Sequence, residues 1–200
     1  MTRFSQAISE GDGISVVPVL AGDVAALAAE AEAAGAEAVA VRTLLDAEAA
    51  RARTGLPVLI RHADGPGADA CVLSYAQFSE DEEALELAYQ QFREAGVECV
   101  VEVRDEEELE EALERVDPEI ILISERADDE ELDELERTLD LLPDVPAGKL
   151  VIAEAGPLNR EQVVALERAG VDAVLVSGPA SSVEFAAALQ ELVRGSGSHS

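Results

Sequence analysis

Short apolar runs alternate along the chain with longer stretches in which leucine and alanine recur every three or four positions. The first pattern reads as buried strand and the second as amphipathic helix. Strands are expected at 14–20, 36–42, 56–62, 68–76, 97–104, 118–124, 149–156 and 171–178. Helices are expected at 22–35, 45–55, 79–96, 105–117, 128–142, 159–170 and 181–194. Asp23 and Asn159 stand where N-caps belong, Ser79 with Glu82 has capping-box spacing, and Gly35, Gly55 and Gly96 sit at helix stops. Strands that are apolar nearly throughout, alternating with helices, imply a parallel sheet with a covered outer side. Eight such strands predict a (β/α)8 TIM barrel filling one domain, residues 1–194. The rival is an open doubly wound sheet, which favours a glycine-rich phosphate turn after the first strand. "LAGDVA" at that place carries a single glycine.

One connection breaks the rhythm. In "PVLIRHADGPGADACVLS", residues 57–74, two strand-like runs are joined with no room for a helix. A crossover between parallel strands takes about a dozen residues or more. The few residues available, at roughly 3.3 Å each, span about one strand length. Pro66 with Gly65 and Gly67 suits an extended return outside the barrel. The third helix is therefore expected to be missing. Apolar surface of the strands beneath is expected to be bare or to meet a partner, making the chain a monomer or a weak homo-oligomer through this region.

Composition narrows the function classes. The net charge is −29, and hydrophobic residues make up 48% of 200, with aromatics at 3%. Such a field repels nucleic acid and anionic membrane, so neither is an expected partner. Lys149 is the only lysine against thirteen arginines. Excess carboxylate with scarce lysine fits a salt-rich cytoplasm, where screening offsets self-repulsion; an ordinary acidic protein is the other reading. No segment approaches the ~20 apolar residues of a membrane span, and "MTRFSQAISEG" lacks the apolar stretch of a signal peptide. Cys71 and Cys99 lie in apolar runs and are expected to be buried free thiols, in keeping with a reducing compartment. The expected location is cytoplasmic. The tail "GSGSHS", 195–200, reads as a linker or tag remnant, and His199 is set aside with it.

The runs "VECVVEVRDEEELEEAL", "EIILISER" and "LVIAEAGPLNREQVVALERAGVDAVLVSGPA", with "PVLIRHAD" before them, resemble the indole-3-glycerol phosphate synthase family. The likeness extends over about residues 14–190, with the helical extension before the first strand reduced to "MTRFSQAISEGDG". It implies a TIM barrel of tryptophan biosynthesis and a carbon–carbon lyase that closes and decarboxylates a carboxyphenylamino-deoxyribulose 5-phosphate without a cofactor. It places a catalytic glutamate on Glu102 and a second functional glutamate on Glu154. Ser124 and Arg126 fall where the family has substrate-binding residues, Arg126 alone matching. Gly156, Ser177 and Gly178 fall at its phosphate site. Two catalytic lysines of the family are replaced, by Leu20 on the first strand and Arg61 on the third; Pro18 stands where it has a glutamate.

Strand alternation points Arg61, Glu102 and Glu154 into the upper barrel and His62 away from it. The three make either a residual catalytic or anion-binding mouth or an inherited ion-pair network, since buried charges need partners. Arginine stays charged and is a poor proton donor. Small residues at 156, 177, 178 and 181–182 offer backbone N–H groups where many barrels hold phosphate, or they merely make turns. The acidic runs "DEEELEE" and "DDEELDELE" read as solvated helix faces, and no zinc spacing or Walker motif is present. Three functions follow: a barrel that has lost the synthase reaction and keeps a small phosphorylated-ligand site, an active lyase using Glu102 and Glu154 with Arg61 as stabiliser, or a non-enzymatic interaction module.

Overall fold

The computed structural model describes residues 3–11, 13–61, 65–78, 83–124, 134–155, 159–177 and 187–193. Eight parallel strands close into a barrel in sequence order, β1 to β8. They are β1 (Ser15–Val19), β2 (Val39–Val41), β3 (Val58–Ile60), β4 (Ala70–Ser74), β5 (Glu98–Val103), β6 (Ile120–Ile123), β7 (Leu150–Ala155) and β8 (Ala173–Ser177). The predicted architecture is the one observed. Closure runs through β8 against β1, with Ser15 to Val19 paired to Ala173 to Ser177.

Alternation sorts the strand residues into two clusters. Val17, Ala40, Leu59, Val72, Val100, Leu122, Ile152 and Leu175 fill the lumen. Their neighbours Val16, Val41, Ile60, Leu73, Val101, Ile123, Ala153 and Val176 meet the helices. Those helices are α2 (Val24–Ala34), α3 (Leu44–Arg51), α4 (Tyr75–Phe78), α5 (Ala84–Glu94), α6 (Glu106–Arg115), α7 (Glu134–Leu141) and α8 (Arg160–Ala169), while α1 (Arg3–Ser9) precedes β1. A last helical stretch covers 187–193. Among the described residues no helix is long and apolar enough to cross a membrane.

The caps follow the sequence. The Asp23 side chain accepts from Ala26 N, and Gly35 ends α2 at φ 94°, a left-handed conformation that suits glycine. Asn159 and Gln162 form a full capping box at α8. The Ser79–Glu82 box lies outside the described residues, as do His62 and His199.

Two features depart from the expectation. The N-terminal residues form α1 and close the bottom of the barrel. Phe4 and Ile8 join the lumen cluster, and the Glu98 carboxylate at the foot of β5 accepts from Phe4 N at 2.7 Å and Ser5 N at 2.9 Å. The second concerns the shortcut between β3 and β4. Gly65 to Asp69 carry no helix, as expected. The strands beneath are nonetheless covered: Val58, Ile60, Cys71 and Leu73 are at most 5% exposed. Flanking elements close over them. Leu44 of α3 packs on Gly67, where a Cβ would lie 2.6 Å from its Cδ2. Tyr75 and Leu85 join the same outer cluster. The exposed leucines nearest the gap, Leu44 and Leu45, are on α3 rather than on the strands.

Removing the plug tests its contribution. Phe4→Ala is expected to cost about 3–5 kcal/mol in denaturant unfolding, the range for truncating a buried aromatic.

Candidate functional site

The C-terminal ends of the strands form the mouth, where barrels of this kind place their chemistry. Arg61 follows β3, Glu102 sits near the end of β5 and Glu154 near the end of β7. All three face inward, because their partners in alternation, Leu59, Val100 and Ile152, line the lumen. The Arg61 guanidinium bridges the mouth. Its Nη2 donates to Glu102 Oε1 at 2.8 Å, and its Nη1 donates to Glu154 Oε1. Glu102 is buried, and the side chains of Arg61 and Glu154 are 17% and 24% exposed. Two carboxylates on one guanidinium leave the cluster with a net charge of −1. Arg61 Nε is buried and has no partner among the described residues.

Hydroxyls ring this cluster. Ser74 is buried and stands opposite Glu102 in the β4–β5 ladder. Ser124 is buried just past β6, and its N–H donates to Val103 O at 3.1 Å. Ser177 ends β8, exposed at the rim. The structure thus brings Arg61, Glu102, Glu154, Ser124 and Ser177 to one end of the barrel. Arg126, Gly156, Gly178 and residues 181–182 lie outside the described residues. Ser74 was missed in the sequence reading, although the alternation that places Val72 in the lumen also places Ser74 there.

Leu20 requires a correction. It is buried in the outer cluster with Val16, Val24 and Leu27, so it cannot reach the mouth. The lumen position on β1 is Val19, paired with Ser177. A lysine reaching a ligand from this strand would need that position or the next inward one, Ala21, which is exposed. Neither residue ionises, so the first strand still supplies no ammonium group. Lys149 precedes β7 at the opposite end of the barrel and is tied to the Asp117 carboxylate.

The rim near β4 carries a second polar group. Tyr75 Oη donates to Glu111 Oε2, and Arg115 bonds the same carboxylate at 3.1 Å while lying 5.8 Å from the Tyr75 ring centroid. Burial, then the Glu111 bond, pushes the Tyr75 phenol up to about 12. Burial also raises Tyr89.

A family model described as "Indole-3-glycerol phosphate synthase" matches residues 57–191. Among curated proteins, indole-3-glycerol phosphate synthases from two strains of Acidithiobacillus ferrooxidans are 38% identical over 121 residues, 60% of this chain. The chain matches 44% of the length of those relatives. Among solved structures, "QR15, an Aldolase" superposes with a TM-score of 0.66 at 17% identity, covering 88% of this chain and 93% of that one. A thiamine phosphate pyrophosphorylase from Pyrococcus furiosus superposes with a TM-score of 0.65 at 18% identity, covering 92% and 95%. These structural likenesses concern the fold alone.

Two measurements check the electrostatics of the mouth. Arg61→Met strands two carboxylates and is expected to cost about 3 kcal/mol in chemical unfolding, the low end for a broken buried pair because the mouth admits water. Tyr75 and Tyr89 are the chain's two tyrosines. Tyrosinate absorbance of the native chain is expected to show both steps above the ordinary value of about 10, with Tyr75 ionising near 12. Unfolding should return both steps to about 10. The folded phenols hold their protons more tightly than the unfolded ones. Their contribution is therefore complete below about 10 and is lost as pH rises through the folded values.

Proposed function

The chain belongs to the indole-3-glycerol phosphate synthase family, and on that premise we propose that it lacks the ring-closing reaction and keeps a small site for a phosphorylated ligand at the mouth. The observation that carries this reading is the state of Arg61. Ring closure with decarboxylation calls for a group that holds a proton and gives it up near neutral pH. Where the family resemblance expects such a lysine, a guanidinium lies between Glu102 and Glu154. It does not release a proton at accessible pH. Val19 and Ala21 offer nothing in its place, and Lys149 is held at the other end.

An anionic ligand finds support in two observations. Arg61 Nε is a donor still without a partner among the described residues, and Ser177 presents its hydroxyl at the rim of β8. The acidic helix faces oppose such a ligand at low ionic strength, and salt screens that opposition. The second reading is an active lyase. What favours it is Glu102, buried beside Ser74 and bonded by a fixed cation, an arrangement able to stabilise charge in a reacting ligand. The third reading, a docking module, finds less support, because the outer residues of β3 and β4 are buried. Any self-association in that region would rest on Leu44 and Leu45 instead.

The test is turnover of the carboxyphenylamino-deoxyribulose 5-phosphate at molar salt. No indole product above background is expected. Inorganic phosphate should raise the thermal midpoint more than chloride of equal ionic strength does. A rate that disappears in Glu102→Gln would establish the lyase reading instead.

A further inference from the structure

Two buried nucleophiles have no part in the mouth. Cys71 on β4 and Cys99 on β5 are direct partners in the parallel ladder, and both join the outer cluster. Both are free thiols. Neighbouring strands run about 4.8 Å apart, within the roughly 4.4–6.8 Å that a disulfide allows between Cα atoms. The two thiols are hydrogen-bonded to each other. Cys99 Sγ also lies 3.6 Å from Tyr89 O, to which its thiol donates. That leaves Cys71 as the donor between the two sulfurs.

Cys99 is not sealed off. It lines a cavity of about 280 Å³ beside α5 and the lower ends of β5 and β6, with Tyr89, Arg93, Glu98 and Glu119 on the walls. That space brings a small reagent up to Cys99, while Cys71 behind it is fully buried.

We propose that Cys71 and Cys99 form a thiol–disulfide switch entered from this cavity, with Cys99 as the attacking thiol, Cys71 as the resolving thiol and a low-molecular-weight disulfide as oxidant. Cys99 loses its proton and its sulfur attacks one sulfur of the reagent. The reagent's S–S bond breaks and one thiolate leaves, taking up that proton. Cys71 then loses its proton and attacks Cys99 Sγ. The mixed disulfide breaks, and the second reagent thiolate leaves and is protonated. The net change oxidises two cysteine thiols to one disulfide and reduces one reagent disulfide to two thiols.

The surroundings set this order. The hydrogen bond from Cys71, and then the Arg93 guanidinium, hold the Cys99 thiol below its ordinary value against the opposing effects of burial and Glu98. The same hydrogen bond, with burial, pushes the Cys71 thiol up. The accessible sulfur is therefore also the one that ionises first, and the thiolate is the reacting form.

The experiment exposes the native chain to 2-hydroxyethyl disulfide, followed by acid quench, thiol blocking, digestion without reduction and mass spectrometry. A Cys71–Cys99 linked peptide pair, two hydrogens lighter than the dithiol, is expected in a chain that runs as a monomer on a non-reducing gel. Cys71→Ser should stop at a mixed disulfide on Cys99. Cys99→Ser should slow modification of Cys71 by about tenfold or more, because the remaining thiol is fully enclosed. The proposal is overturned if the native wild type keeps both thiols, or if an adduct on Cys99 persists unresolved. It is equally overturned if linking proceeds only at the rate of global unfolding, measured by denaturant jump. These wild-type readouts decide the matter even if a serine variant fails to fold.

Discussion

Closing eight parallel strands into a ring gives each strand residue one of two destinations, the lumen or the shell beneath the helices. Side chains alternate between them, so a shift of one position moves a residue from one environment to the other. That constraint decides which residues of this chain can act together. It carries Arg61, Glu102 and Glu154 from three different strands to one guanidinium-centred cluster, and it sends Leu20 and both cysteines outward. It also explains a core built on valine, isoleucine, leucine and alanine. Branched and small side chains fill a narrow lumen in layers without needing polar partners.

The mouth shows what the same constraint costs when charge is placed inside. Glu102 is buried, and a lone carboxylate there would be poorly solvated. Arg61 supplies fixed positive charge to it and to Glu154 at once. The pairing consumes two arms of the guanidinium and leaves Nε as the unengaged donor among the described residues. A lysine in the same place would offer a compact charge whose proton affinity responds to its surroundings. Arginine exchanges that responsiveness for geometry. An ion-pair scaffold and a ligand mouth are then compatible uses of the same three residues.

Much of this was legible in the residues themselves. Helix periodicity, the caps at Asp23 and Asn159 and the eight strand runs led to the observed barrel, because each rests on local chemistry. The inward direction of Arg61, Glu102 and Glu154 followed from alternation between apolar and charged positions. On β1 that contrast is missing. "VVPVL" is apolar throughout, so its phase cannot be read, and nothing in it contradicts the resemblance that puts the family's lysine on Leu20, one position out of step with the inward Val19. Helix α1 is seven residues long, too short for a periodic signal, though Phe4 and Ile8 stand four apart as one stripe would require. The cover over β3 and β4 comes from Leu44, Tyr75 and Leu85, which are brought there only by the tertiary fold.

The plug at the foot of the barrel ties together segments made at different times. Phe4 is synthesised before its hydrogen-bonding seat on Glu98, which emerges 94 residues later. The ring itself waits for β8 before β1 has its second neighbour. Contacts of such long sequence separation form late and slowly. A growing chain therefore carries Phe4 and Ile8 uncovered while those 94 residues are made, an interval in which a nascent apolar segment is open to capture by chaperones.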